Sequence, residues 1–393
     1  MNTAEDLFDV LIAGAGPTGL TAAVALAEAG RRIAIVDAHP ASAPTSRAAV
    51  VHARTLEVLD RLGVAQRLLE VGLVRHVFVF RTRARPLVTL DFTALPGRFA
   101  CVLFVSQFRT EEVLRGRLAE LGVEVIRPAA VLAVRALPER VDVELDDGRV
   151  LSGSYLIGAD GMNSTVRSQA GIGFSIPGRR GREGTSFVLA DVELEGGGTG
   201  NAGSAPSEAS LSAGPEGLLV SVPLPGGQWR IVAETAEVPE TPGRDYLQRL
   251  LDTRGAAEEP GTIRSVAWSS RFRIHSRLAD TFLAGRILLA GDAAHVHSPA
   301  GGQGMNLGIR DAAAAATALD RVLAGAPGSV LAAWAGQRRS RALQVIRLTR
   351  RIAGVALVPG PLRPLRDALL LAGGSVPAVR KRIASSLAGL ADR

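Results

Sequence analysis

A single cysteine, two tyrosines and three tryptophans are spread over 393 residues, and aromatic side chains make up only 4% of the chain. One cysteine, Cys101, excludes an intrachain disulfide framework and any multi-cysteine metal site, which fits a reducing cytoplasm. The residue itself reads as a small buried hydrophobe. Tyrosine is scarce beside 11 phenylalanines, and no stripe interleaves basic with aromatic residues, so no nucleic acid partner is expected. No basic leader precedes the one long uncharged run, residues 10–27. Glu5, Asp6 and Asp9 stand before it, and Gly14, Gly16, Pro17 and Gly19 interrupt it. That run is read as neither a signal core nor an integral membrane segment, and the protein is expected to be soluble and cytoplasmic.

What is present is ordinary globular composition, 47% hydrophobic and 21% charged, in a length sufficient for two domains sharing an interface. The formal charge of +7 comes mostly from arginines dispersed along the chain. We read it first as compositional bias and second as attraction for an anionic, phosphate-bearing ligand.

Residues 8–13 read as a buried strand, 18–29 as an alanine-rich helix stopped by Gly30, and "RRIAIVDA" as a second buried strand. Together they form a βαβ unit. "TLEVLDRLGV" and "FRTEEVLRGRLAELG" read as helices, and "RVDVELDDGRV" as a hairpin turning at "DDG". "YLIGADG" repeats the strand-into-glycine design. After about residue 173 the pattern becomes that of a largely antiparallel sheet, interrupted by "GGGTGNAGSAPSEAS", which is expected to be a mobile surface loop. A strand at 287–290, a glycine-rich loop, a helix over 304–323 and an Arg/Leu/Ala-rich helical tail follow. The expected class is α/β: a Rossmann-like dinucleotide domain over 1–173, an inserted β-sheet substrate domain over 174–280, and a return to the first domain with C-terminal helices over 281–393.

Gly14-x-Gly16-x-x-Gly19 has a mechanical reading. One glycine makes the tight turn, one lets backbone approach a pyrophosphate, and one lets helix pack on strand, while the helix N-terminus offers free N–H groups. Asp37, at the end of the second strand, is placed to accept hydrogen bonds from ribose hydroxyls. This site alone does not separate FAD from NAD. The segment "ILLAGDAAHVHSPAGGQGMNLGIRDA" does. Asp292 at a strand exit suits a sugar-alcohol chain, and Pro299, Gly301, Gly302 and Gly304 let backbone reach a flat ring. The positive end of the following helix suits a reduced flavin, which gains negative charge near N(1) and O(2); a nicotinamide has no such state.

"GAGPTGL", "GADGMNSTVR" and "AGDAAHVHSPAGGQGMNLGIRDA" resemble the dinucleotide, DG and GD motifs of the class A flavoprotein monooxygenases. These are the para-hydroxybenzoate hydroxylase-like aromatic hydroxylases, including polyketide-tailoring and tetracycline-inactivating members, and the resemblance runs through residues 7–350. It implies that Gly14, Gly16, Gly19 and Asp37 hold the ADP half of FAD, that Arg47 lies near the pyrophosphate and Gln107 near the ribityl chain. It further implies that Asp160 serves FAD and, indirectly, the reductant, that Asp292 binds the ribityl chain, and that residues 299–306, with Met305 and Asn306, line the isoalloxazine. NADPH or NADH would dock transiently, since no second glycine fingerprint follows a convincing strand. The implied reaction is hydroxylation of a bulky aromatic substrate by dioxygen through a flavin C(4a)-hydroperoxide, as in antibiotic biosynthesis. Pro299, Gly301 and Gly302 would carry the catalytic ring loop, and no protein acid or base is assigned.

The chain departs from the family in two ways. No thioredoxin-like C-terminal domain fits after residue 350, and Trp229 and Trp268 lack the context of the paired tryptophans of flavin-dependent halogenases. His295 and His297 share one side of an extended segment but have no nearby third ligand, so no metal is expected and a loop-stabilising or substrate-facing role is read instead. Arg179, Arg180 and Arg182 read as a solvated loop, with NADPH docking as the alternative, and Asp160 has turn capping as its simpler reading. Three rival functions stay open at this level: a nicotinamide-linked dehydrogenase, which leaves the Gly301, Gly302 and Gly304 cluster unexplained; a membrane-associated flavin reductase acting on isoprenoids; and a ligand-sequestering flavoprotein. Baeyer–Villiger oxygen insertion on the same scaffold stays open as well, and nothing in the sequence sets the oligomeric state.

Overall fold

The computed structural model describes residues 7–42, 48–177, 186–195, 208–235, 239–258, 261–273, 275–299 and 301–390. Strand Leu7–Ala13 is the centre of a parallel ladder. It pairs on one side with Ile33–Val36, which pairs with Val125–Ile126, and on the other with Val150–Gly158, which pairs with Ile287–Leu289. The apolar runs that make these strands, such as Val10 to Ala13 and Ile33 to Val36, are buried throughout, as a parallel sheet covered on both faces requires. The uncharged run over 10–27 is therefore strand, turn and helix. No helix among the described residues is long and apolar enough to cross a membrane.

Helix Pro17–Glu28 opens with proline in its first turn, where a missing N–H costs nothing, and closes on Gly30 at φ +72°. It packs against helices Gln107–Glu120 and Gln303–Leu323. The hairpin Val131–Ala136 with Val141–Leu145 runs antiparallel into Val150–Gly158, and Gly148 of the "DDG" turn takes φ +84°.

A second sheet of seven strands is ordered Ile263–Arg273, Ser186–Leu194, Gln228–Thr235, Gly217–Pro223, Ala209–Gly214, Val77–Arg81, Pro86–Asp91. All its ladders are antiparallel except the one joining Ala209–Gly214 to Val77–Arg81. Two of its strands thus come from upstream of residue 173, so this sheet is not confined to 174–280. Side chains alternate across it with the period of two that a pleated strand imposes. Val188, Ala190 and Val192 join a core with Leu247 and Leu251 of helix Arg244–Arg254, whereas Phe187 faces Leu211, Leu218 and Ala356. Of the glycine-rich stretch expected to form a loop, residues 196–207 lie outside the described residues, and Ala209 and Ser210 begin a strand.

Helices Ser329–Ala356, Arg363–Ser375 and Pro377–Leu387 complete the described chain. The last two lie against strand Pro86–Asp91, close enough that a Cβ at Gly374 would sit 2.8 Å from the Leu87 carbonyl oxygen.

Candidate active site

The three glycines of the first turn differ in what a side chain would meet. At Gly14, φ +98°, it would run into the Ala159 carbonyl; at Gly19 it would run into the Gly14 carbonyl; at Gly16 it would enter open space. Gly14 and Gly19 are therefore demanded by packing, and Gly16 leaves the backbone accessible at the N-terminus of helix Pro17–Glu28. Asp37 braces this turn. Its Oδ2 accepts from the Ala15 N–H at 2.6 Å and its Oδ1 from the His39 N–H at 2.9 Å. Arg47 lies outside the described residues, as do Arg179, Arg180 and Arg182.

Gln107 begins its helix behind the Ser106 cap, whose hydroxyl accepts from the Arg109 N–H. Its amide donates to Glu111 at 2.8 Å. Burial pushes the Glu111 carboxyl above the usual range, against hydrogen bonds from Gln107 and Ser42. Glu111, to which no sequence motif gave a role, stands one helical turn after Gln107.

Asp292 lies exposed in the short helical turn Gly291–Ala293, directly after the strand Ile287–Leu289. Gly291 and Gly308 both crowd the Thr18 side chain, so the turn, the first helix and helix Gln303–Leu323 meet at Thr18. Gly301 and Gly302 take φ +84° and +62°, the left-handed region that side chains other than glycine rarely adopt, and Gly302 caps the helix that follows. Asn306 points inward rather than toward open space. Its Oδ1 accepts from the His52 N–H, and its amide donates to the Val50 and Gly302 carbonyls. It holds the ring loop to the strand Val50–His52.

His52, which the sequence reading did not single out, supports the same loop from below. Its Nε2 lies 2.8 Å from the Gly301 carbonyl, which only accepts, so Nε2 carries the proton. Burial draws the His52 pKa down to about 4, opposed by the Gly301 hydrogen bond and assisted by the Arg310 charge, leaving the ring neutral near pH 7. Buried Gln303 donates to the Gly301 carbonyl at 3.1 Å and to the Leu387 carbonyl at 2.9 Å.

His295 is committed within the protein, its Nε2 donating to Asp311, which also pairs with Arg338. His297 stacks beside it with ring centroids 6.3 Å apart, and burial together with the His295 charge draws its pKa to about 4. Among the described residues no group of three His, Cys, Asp or Glu side chains is placed to hold a metal. Asp160 accepts from the Ser164 hydroxyl and the Val166 N–H, so its carboxylate caps the helix Thr165–Gln169. Arg167, the last residue of "GADGMNSTVR" and given no role of its own by the motif, donates to the Met162 and Ala293 carbonyls at 2.9 Å each and ties the two glycine-rich loops together.

One cavity of about 710 Å³ joins these parts. At one end it is lined by Gly16, Pro17, Gln107 and Asp292, then by Pro299, Gly301, Gly302, Gly304 and Met305, and at the other by the inner face of the seven-stranded sheet. Six phenylalanines, Phe78, Phe80, Phe92, Phe104, Phe187 and Phe272, reach it. More than half of the chain's 11 are thus gathered at one site. Phe78 and Phe80 meet edge to face at 5.5 Å, and Phe187 and Phe272 stack at 5.6 Å. Buried Arg230 spans the junction. It forms a two-point pair with Asp191 at 2.7 Å and donates to the Ala48 carbonyl at 2.9 Å.

Residues 7–349 match the family described as FAD binding domain. The chain is 35% identical over 367 residues to a 6-methylpretetramide 4-monooxygenase of Streptomyces rimosus, covering 91% of this chain and 63% of that protein. Among solved structures it is similar to an anhydrotetracycline hydroxylase from Streptomyces rimosus, with TM-score 0.79, 32% identity, and 98% of this chain and 76% of that one covered. It is also similar to an aklavinone-11 hydroxylase in complex with FAD and aklavinone, with TM-score 0.76, 26% identity, and 92% and 70% covered.

Proposed function

The chain belongs to the FAD binding domain family, and from that premise we propose that it is a monooxygenase that uses FAD, NADPH or NADH, and dioxygen to hydroxylate a bulky aromatic substrate of the polyketide or antibiotic kind. The observation that carries the reading is the continuity of the cavity, which runs from the dinucleotide turn past the ring loop to a phenylalanine-lined sheet. The names of its relatives support it as well, since they act on anhydrotetracycline and aklavinone.

The residues fit FAD. The space that a Cβ at Gly16 would fill lies at a helix N-terminus, where backbone N–H groups receive a pyrophosphate. Asp292 offers a carboxylate to ribityl hydroxyls, and the two left-handed glycines keep the ring loop free of side chains. Bound there, FAD supplies electron exchange with NAD(P)H and dioxygen. The protein's part is positional and electrostatic. Helix Gln303–Leu323 turns its positive end toward the ring loop, where it favours developing negative charge. The phenylalanines exclude water and hold an aromatic face, and Arg230 fixes the sheet to the cofactor domain. His52 and His297, neutral near pH 7, add no charge beside the ring.

The purified protein should be yellow and release FAD on heating. With isotope-labelled dioxygen the product should gain a single labelled oxygen and none from water, with NAD(P)H consumed in equal amount when coupling is tight. Label from water, or turnover unaffected by removal of oxygen, would reject the assignment.

A further inference from the structure

The last described helix, Pro377–Leu387, ends at the ring loop rather than at the surface of the molecule. Leu387 is buried and reaches the cavity, and a Cβ at Gly301 would meet its Cδ2 at 3.3 Å. Its carbonyl is held by Gln303 at 2.9 Å, the same amide that holds the Gly301 carbonyl. The next residue, Ala388, is fully buried, and its carbonyl accepts from the Arg54 N–H at 3.2 Å. The backbone at this point is thus anchored on two sides, while the side chain is the part that faces the cavity. A branched apolar side chain held this rigidly behaves as a wall, because neither its backbone nor its neighbours can yield without breaking buried hydrogen bonds.

We propose that Leu387 determines how large an aromatic substrate can lie against the ring loop, by closing the cavity above Gly301. The inference rests on the monooxygenase reading and adds to it a specificity-determining residue drawn from the C-terminal helices. Ile352 and Ala353 of helix Ser329–Ala356, with Leu357 just past its end, also line the cavity. Leu387 comes from a different segment, the one whose carbonyl Gln303 pins together with that of Gly301.

The experiment uses the full chain loaded with FAD and two probes, 2-naphthol and anhydrotetracycline, with binding read from perturbation of the flavin spectrum. Leu387→Trp should weaken anhydrotetracycline by about tenfold or more while 2-naphthol stays within about twofold, and Leu387→Ala should shift the ratio the other way. Leu387→Met, similar in volume, should reproduce the parent pattern and so guards against a general folding defect. FAD affinity, measured separately by flavin fluorescence, should change by less than about threefold in Leu387→Ala, since the loop's backbone anchors remain. An identical probe pattern in the parent, Leu387→Trp and Leu387→Ala, shared absence of binding included, overturns the proposal. Failure of the parent to bind FAD at all is a different result and overturns the functional reading beneath it.

Discussion

The Nε2 of His295 lies 2.6 Å from Oδ2 of Asp311, with both side chains sealed from solvent, and Arg338 closes on the other carboxylate oxygen at 2.5 Å. The three residues come from the strand after the GD turn, the helix after the ring loop and the long helix Ser329–Ala356. One carboxylate therefore fastens three elements behind the site.

Burial works against the ionised Asp311 carboxyl, but Arg338 and His295 outweigh it and hold its pKa below the usual range. A carboxyl depressed on folding stabilises the protein fully above its unfolded pKa and loses that contribution as pH falls through the folded value. Asp311→Ala should cost about 3–5 kcal/mol at neutral pH, read from urea unfolding. The gap between parent and variant should narrow only below about pH 4. A gap already closed well above pH 4 would show that the Asp311 carboxylate does not govern it.

Arg167→Lys should not substitute for the parent. A guanidinium reaches the Met162 and Ala293 carbonyls at once, and an ammonium is a single point. Leaving a buried carbonyl unsatisfied should cost about 1–3 kcal/mol in thermal or urea unfolding. Unchanged stability together with unchanged FAD affinity would mean that the two glycine-rich loops hold their spacing without this tie.

Asp292→Ala should weaken FAD by about 1.5–3 kcal/mol, the value of a hydrogen bond to a charged group, or roughly 10- to 150-fold in Kd. The exposed position of Asp292 makes a folding defect a poor alternative explanation. Equal affinity in parent and variant, by fluorescence titration, would move the ribityl site elsewhere.

Gly302→Val should harm FAD binding and turnover more than secondary structure. Position 302 has φ +62°, and its Cβ would stand 3.1 Å from that of Val50. A β-branched residue there meets both backbone strain and a packed neighbour. Circular dichroism and flavin titration on the same preparation separate the outcomes, and an unaltered flavin spectrum with full activity would remove the loop from the ring site.

The parts of the site legible in the sequence are those whose cause is local. Gly14, Gly16 and Gly19 are within five residues of one another, and their differing needs for turn, access and packing follow from the strand-to-helix geometry they share. The unreadable parts are partnerships across sequence distance. Arg167 reaches Ala293, 126 positions away, and His52 reaches Gly301, 249 away, with no period or spacing to announce either. Side-chain direction was equally hidden. Asp160 and Asn306 sit in motifs read as cofactor-binding, yet their hydrogen bonds are made within the protein, Asp160 with the Ser164 hydroxyl and the Val166 N–H, Asn306 with the Val50 and Gly302 carbonyls and the His52 N–H. The membership of Val77–Arg81 in the second sheet was missed for the same reason, since the ladder that claims it begins at Ala209.

That single parallel ladder has a consequence for how the molecule can be taken apart. Excising residues 174–280 would leave strand Ala209–Gly214 with one side unpaired and carrying apolar Leu211, an open template for intermolecular association. The sheet also cannot be completed during folding until chain segments more than a hundred residues apart have met, so its formation is slow in kind and coupled to that of the cofactor domain. A recombinant chimera that exchanges substrate specificity between relatives should therefore carry Val77–Arg81 and Pro86–Asp91 along with the later strands, because the unit of inheritance is the hydrogen-bonded sheet and not the contiguous stretch of sequence.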